Sequence, residues 1–381
     1  MRNAASLDAI IVGAGIAGAS LAHFLTQRGM TDVMLLERET QPGYHATGRS
    51  AASLVEWDAI TTLQQLKAQS ARFFRDPPSG FSEARLLDPT GILVLFQEPM
   101  WTAARQVAST LATHGVVANL LSVSEVIERI PVLAPESFDG GVWLPEDGRI
   151  DVHGLLWSYL RHAAEHGAQR RCGVEVQRIL VERGRCCGVV TNAGEFQARW
   201  VVNAAGAWAG KIGALAGATP IPLTPHRRTI VTFDTPAGLD VRGWPLVHHE
   251  SHRLYFAPES GGLLASPMDE EPMEPCDARP EELMVAQAMD RLASLAPPLV
   301  PKTLRRTWAG LRTFAPDRAH VVGEDPRVPG FFWLAGQGGC GIETSPAVGQ
   351  IAADLLVDGR TDNPVAPALA PARFSVGPCC R

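Results

Sequence analysis

The sequence predicts an α/β fold: a Rossmann-like nucleotide-binding domain interwoven with an α+β substrate domain built on a mixed or antiparallel sheet. Three observations carry that prediction. The apolar run Ala9-Ile10-Ile11-Val12 is followed at once by Gly13, Gly15 and Gly18 in G-x-G-x-x-G spacing. A helical pattern through Ile16, Leu21, Phe24 and Leu25 then leads to a second apolar run that ends in Glu37, an acid placed about 20 residues beyond the glycines as a dinucleotide fold requires. Further on, residues 196–202 run as a strand into Asn203-Ala204-Ala205-Gly206-Ala207-Trp208, the small-residue ending expected where a parallel sheet meets its ligand.

Each part of the first stretch has a physical task. Gly13 makes the tight turn, Gly15 admits a pyrophosphate to the backbone, and Gly18 lets helix pack closely on strand. Ile16 and Ala17 open the helix, whose unpaired N–H groups and positive dipole end suit the phosphates. Glu37 accepts hydrogen bonds from ribose hydroxyls, and its charge disfavours a 2′-phosphate there.

Composition narrows the classes. With 381 residues, 46% of them hydrophobic and 19% charged, the chain can bury a large core in two domains or one interwoven unit. A net charge of −6 speaks against nucleic acid as the main partner. The seven cysteines form no C-x-x-C pair and no metal-ligand array, so no metal is expected and the thiols read as reduced, in a cytoplasmic protein. No run of 18 apolar residues occurs, so no membrane span is expected; peripheral attachment to an inner membrane stays open.

In chain order, the loop from Arg38 through His45, Ser50 and Ala51 is rich in small residues, which suits backbone lying against a flat ligand, although a polar surface loop has the same composition. Residues 59–75 read as a helix that stops before Pro77-Pro78, 91–96 as a strand, 101–114 as a helix and 131–143 as irregular. A helix over 151–166 has Asp151 as N-cap and Gly167 as its stop. Strands follow at 174–180 and 187–190. Residues 220–301 are proline-rich and strand-like, with a helix over 280–295. Gly310-Leu311-Arg312, a strand at 331–334, the glycine run 336–342 and a helix at 347–357 complete the pattern. The nucleotide-binding domain is thus expected from 1–55, 140–215 and 301–360, the substrate domain from 56–139 and 216–300, and a poorly ordered tail at 361–381.

The segments GAGIAG, LLERE, PGYHATGRSAA, NAAGAW, GLRTF and QGGCGIETSPAVG occur in this order. Together they resemble the D-amino-acid oxidase-like flavoenzymes, and most closely the bacterial D-arginine dehydrogenase type, over residues 8 to 357. The resemblance implies FAD held without a covalent link, with its ring between the two domains. It places Gly13, Gly15, Gly18 and Glu37 on the ADP half, with Val176 meeting the adenine through its backbone. Ser50 and Ala51 would lie beside the ring, and Gly338, Gly339, Gly341 and Ile342 along its other edge. Arg38, His45, Ala205, Gly206, Trp208 and Gly310 fall in the same motifs and are counted as cofactor contacts. Arg228, Tyr255 and Arg312 would hold a substrate carboxylate, two guanidiniums and a phenol being suited to it; Gly339 is placed at the reacting centre with them. Arg227, one residue from Arg228 on a strand, is expected to point away.

The implied reaction is oxidative deamination: hydride leaves Cα for flavin N5, and the imino acid hydrolyses to a 2-oxo acid and ammonia. Fixing the Cα–H is then the main contribution of the protein, and no general base is assigned. The chain departs from the D-arginine dehydrogenase pattern at Ser53, Val55 and Asp58, which replace His, Thr and Tyr. Ile92 stands in place of a Glu that faces the substrate guanidinium. A buried guanidinium without a carboxylate is costly, so a neutral or apolar side chain is expected unless Asp58 reaches the pocket. Cys340 stands where an aromatic residue is usual. A 2-hydroxy acid or N-alkyl glycine would suit the same carboxylate clamp, and a flavin-binding protein without turnover is the third alternative. The electron acceptor (a quinone, another carrier or oxygen) has no signature in the sequence.

Overall fold

The structure, a computed structural model, describes residues 6–375. Its eight-stranded sheet carries the glycine fingerprint. The strand Leu7–Val12 lies parallel to Val33–Glu37 on one side and to the second half of Gly194–Asn203 on the other. Gln169–Cys172 and Phe331–Ala335 extend it in parallel, and Val321–Glu324 closes one edge antiparallel. Ala9, Ile10 and Ile11 are fully buried; covered on both faces, the strand reads as one apolar run instead of an alternation. The helices Ile16–Gln27, Val152–Glu165 and Ser345–Asp358 share one apolar cluster with it. Asp151 caps the second of them, its Oδ1 accepting from Gly154 N at 2.8 Å, and Gly167 just beyond the end takes φ +100°.

A nine-stranded sheet forms the other half. Its pairings are antiparallel except where Leu246–His249 runs beside Ile92–Phe96, so the mixed sheet expected for the substrate side is present. Two of its strands come from stretches assigned by sequence to the other domain. Gly140–Leu144 pairs with Ile92–Phe96, and Leu304–Phe314 pairs along the whole of Thr224–Phe233. The second case has a clear cause. Ala309 and Leu311 are buried in one core while the alternate residues Gly310 and Arg312 are half-buried, the alternation of an antiparallel strand with two different faces. Gly140 and Gly141 carry no such signal.

The expected loose tail is also corrected. Residues 361–375 are docked, with Val365, Leu369 and Pro371 buried. Arg373 donates to the carbonyl oxygens of Leu369 and His320 and to Asp317. Composition misled because a few apolar anchors suffice to tie down a Pro/Ala-rich segment. Residues 376–381, with Cys379 and Cys380, lie outside the described residues.

One core position conflicts with its surroundings. His23 is 1% exposed amid Phe24, Phe81 and Tyr159, and neither ring nitrogen has a partner. Burial, with His162 and His166 nearby, lowers its pKa from 6.5 to about 3. The folded state therefore resists a proton that the unfolded chain accepts. The resulting stability is present above pH 6.5 and is lost as pH falls towards 3, at up to about 1.4 kcal/mol per pH unit. Thermal melts from pH 7 to 4 should show His23→Phe falling less steeply than the parent.

Candidate active site

Two adjoining cavities of about 290 and 130 Å³ lie along the carboxyl edge of the parallel strands. Gly15, Thr47, Gly206 and Gly310 line both, so they are lobes of one cleft. The first lobe is walled by Gly13, Glu37, Arg38, His45, Val176, Ala205 and Trp208. The second is walled by Ile16, Ala17, Ser50, Ala51, Gly338, Gly339, Gly341 and Ile342, with Arg228 and Arg312. Of the residues predicted from sequence, Gly18 and Tyr255 line neither lobe.

Gly18 acts one layer back. A Cβ there would stand 2.0 Å from the Gly13 carbonyl oxygen, and one on Gly13 (φ +107°) would stand 2.5 Å from that of Ala204. Both glycines are set by close approach of backbone. Glu37 has a second task that the fingerprint alone does not state: its two oxygens accept from Ala14 N and Glu39 N, each at 2.9 Å. It clasps the glycine turn while lining the lobe. Thr47, not singled out from sequence, accepts from Ile16 N at 3.0 Å and holds the phosphate-side loop to the helix start. At the mouth of this lobe Arg38 lies 4.2 Å over the Trp208 ring, His45 packs on the same ring at 4.6 Å, and both contact Glu39.

The polar end of the second lobe comes from the nine-stranded sheet. Arg228 is opposite Gly310 and Arg312 is opposite His226 on paired strands, which sets both guanidiniums on one sheet face. Arg228 is 4% exposed; Nε donates to the Asp269 carbonyl and one Nη to Glu270, while Nη1 is buried without a partner. Burial and the neighbouring Arg312 push its pKa down to about 9, so it stays charged at neutral pH. Arg227 points to the other side, onto Glu271, Glu281 and Asp269. Tyr255, 7% exposed, is on the Arg228 face and close enough to contribute to its pKa. A Cβ on Gly339 would meet Arg312 Nη1 at 2.7 Å, so only glycine leaves that guanidinium its place.

Asp58 is engaged elsewhere. Its carboxylate holds Lys67 Nζ at 2.8 Å and Ile60 N at 2.8 Å, and Lys67 also reaches Glu343 at 3.3 Å. Lys67, 4% exposed on the helix Thr61–Arg75, gave no sign in the sequence beyond a lysine on an apolar helix face. Ile92 is fully buried in one cluster with Val94, Ile230, Leu246 and Tyr255. Burial pushes the Cys340 thiol up to about 12. Among the described residues no His/Cys/Asp/Glu group is arranged to hold a metal, and no helix is long and apolar enough to cross a membrane.

Residues 8–355 match the DAO model, described as FAD-dependent oxidoreductase. The chain belongs to this family. It is 28% identical over 378 residues to glycine oxidase of Geobacillus kaustophilus, covering 94% of this chain and 95% of the relative. It is 26% identical to the pyruvate dehydrogenase phosphatase regulatory subunit and 24% identical to sarcosine dehydrogenase, both mitochondrial proteins of Mus musculus. Those matches cover 93% of this chain but 42% and 40% of the relatives, so the chain spans about two fifths of their length. Among solved structures, L-proline dehydrogenase from P. horikoshii superposes with a TM-score of 0.86 at 25% identity, covering 97% of this chain and 98% of that one.

The cofactor of the DAO family is FAD, and the cleft fits it. A glycine-walled lobe at a helix N-terminus suits a pyrophosphate, and the backbone of residues 338–341 leaves room for a flat ring beside the arginines. Gly18→Ala should force helix from strand at a cost of about 2 kcal/mol or more. The purified variant should carry well under half the flavin of the parent, read from the visible absorbance relative to protein.

Proposed function

We propose that this DAO-family protein oxidises the Cα–N bond of a small α-amino acid whose carboxylate is bound by Arg312, Arg228 and Tyr255. The observation that carries this reading is the unpartnered, buried Nη1 of Arg228 beside the half-buried Arg312, on one sheet face against the second lobe. Arg312 still repels Arg228 although Glu270 pairs with the latter; an anion reaching the free Nη1 would relieve that repulsion, and a carboxylate is the anion that amino-acid substrates bring. Bound FAD supplies the two-electron acceptor. The protein's own contribution is to hold the substrate by its carboxylate, exclude water from the lobe and orient Cα.

A D-amino acid with a neutral or apolar side chain is the substrate class favoured here. Ile92, Ile230 and Leu246 offer a side chain no charge, and Asp58 is committed to Lys67. An arginine or lysine side chain would therefore meet no free carboxylate among these residues. An N-alkyl glycine or other secondary amino acid is the second reading, favoured by the likeness to relatives named sarcosine dehydrogenase and L-proline dehydrogenase. The likeness to a phosphatase regulatory subunit keeps a role without turnover as the third. The high pKa of Cys340 keeps its thiol protonated and supports flavin bound without a thioether.

Anaerobic mixing with D- and L-amino acids, glycine, sarcosine and proline, followed at the flavin absorbance, tests all three. Bleaching by neutral D-amino acids but not by D-arginine is expected. Bleaching by sarcosine or proline alone would select the second reading, and no bleaching by any compound would leave the third. Arg312→Ala should weaken substrate roughly 100-fold in kcat/KM through loss of a charged hydrogen bond. The rate should rise with pH as the bound amine loses its proton; a 2-hydroxy acid substrate would show no such rise.

A further inference from the structure

One imidazole on the substrate face has no task in the fold. His248 stands directly opposite Tyr255 on one neighbouring strand and Val94 on the other. It therefore shares a face with the phenol of the clamp, flanked by Leu246 and Ile92 one pair along. The segment holding Ala51, Val55 and Trp57 packs over that face. Nε2 of His248 is buried with no hydrogen-bond partner; the nearest acid, Glu250 Oε1, is 3.6 Å away. The side chain lines neither lobe of the cleft but keeps 17% of its surface exposed.

The charges around it limit what can bind. Burial first, then Arg228, Lys67 and Arg312, oppose protonation while Asp58 favours it, and the pKa falls to about 3. The ring is neutral at working pH, offering one donor and one acceptor. A cation would meet three positive neighbours. A buried polar atom without a partner costs about 1–3 kcal/mol, which an apolar residue at this position would avoid. A ligand that completes the hydrogen bonding removes that cost.

We infer that His248 is a specificity-determining residue that hydrogen-bonds a neutral N–H or O–H group carried by the substrate beside its carboxylate. This rests on the carboxylate reading given above. The donor is either the deprotonated amine or a hydroxyl or amide on the side chain.

Three carboxylates that the flavin cannot oxidise separate these cases. Isobutyrate carries neither group, 2-methylalanine adds an amine but has no Cα–H, and 3-hydroxyisobutyrate adds a hydroxyl. Their Kd values are read from flavin difference spectra of the FAD-loaded parent, His248→Leu and His248→Gln. His248→Leu should weaken 2-methylalanine or 3-hydroxyisobutyrate about tenfold, with isobutyrate within about twofold and His248→Gln restoring part of the loss. An effect on 2-methylalanine names the amine as donor; an effect on 3-hydroxyisobutyrate names the side chain. Equal weakening of all three, or of none, overturns the inference while leaving the clamp intact. Failure of isobutyrate to bind the parent overturns the carboxylate reading and the inference with it.

Discussion

The approach of the first helix to the first strand turn is the constraint on which the rest depends. At Gly18 and Gly13 the backbones come so near that a single methyl group would overlap a carbonyl oxygen. That contact fixes the start of the helix, and with it the direction of its N–H groups. Glu37 and Thr47 then secure the turn from two sides, through Ala14 N and Ile16 N. Because Thr47 belongs to the loop that also carries Arg49, Ser50 and Ala51, the position of the turn is transmitted to the second lobe.

Arg49 carries that connection across to the other sheet. Its guanidinium donates to the carbonyl oxygens of Ala278 and Ala309 and pairs with Asp277, and Trp308 Nε1 donates back to the Arg49 carbonyl at 3.1 Å. The loop is thus hydrogen-bonded to elements of both halves. Lys67 makes a second tie, joining Asp58 at the start of one helix to Glu343 beside another. Each buried carboxylate needs its cation: burial raises the pKa of Glu343, and Lys67 opposes that rise. Removing Lys67 would strand both acids in a medium that does not solvate them.

What could be read from sequence follows from the range of each interaction. The glycine turn, Glu37, the Asp151 cap and the longer helices are local, so neighbouring residues declare them, whereas the short helices Val123–Arg129 and Ala209–Ala216 are not read from the sequence. Arg228 and Arg312 were legible only as members of motifs that resemble a family; residue type alone does not distinguish them from Arg227. Sheet membership of Gly140–Leu144 and Leu304–Phe314 depends on partners far along the chain and was misassigned. Lys67, Thr47 and His248 were missed for the same reason, since their tasks come from atoms supplied by distant segments. The docking of the tail from residue 361 is not legible because composition weighs every residue alike, whereas Val365, Ala366 and Leu369 find places in the core.

The side-by-side arginines at 227 and 228 place chemistry in the parity of a strand. One guanidinium serves a network of acids at the surface and the other serves the cleft, and only odd–even position separates them. A one-residue slip of Thr224–Phe233 against Leu304–Phe314 would still present an arginine to the cleft, but would reverse every apolar neighbour around it. The strand is therefore forgiving of lost composition and intolerant of lost phase. Drift in this part of the molecule should accumulate as substitutions, and length changes should be confined to the loops that can absorb them without shifting the strand.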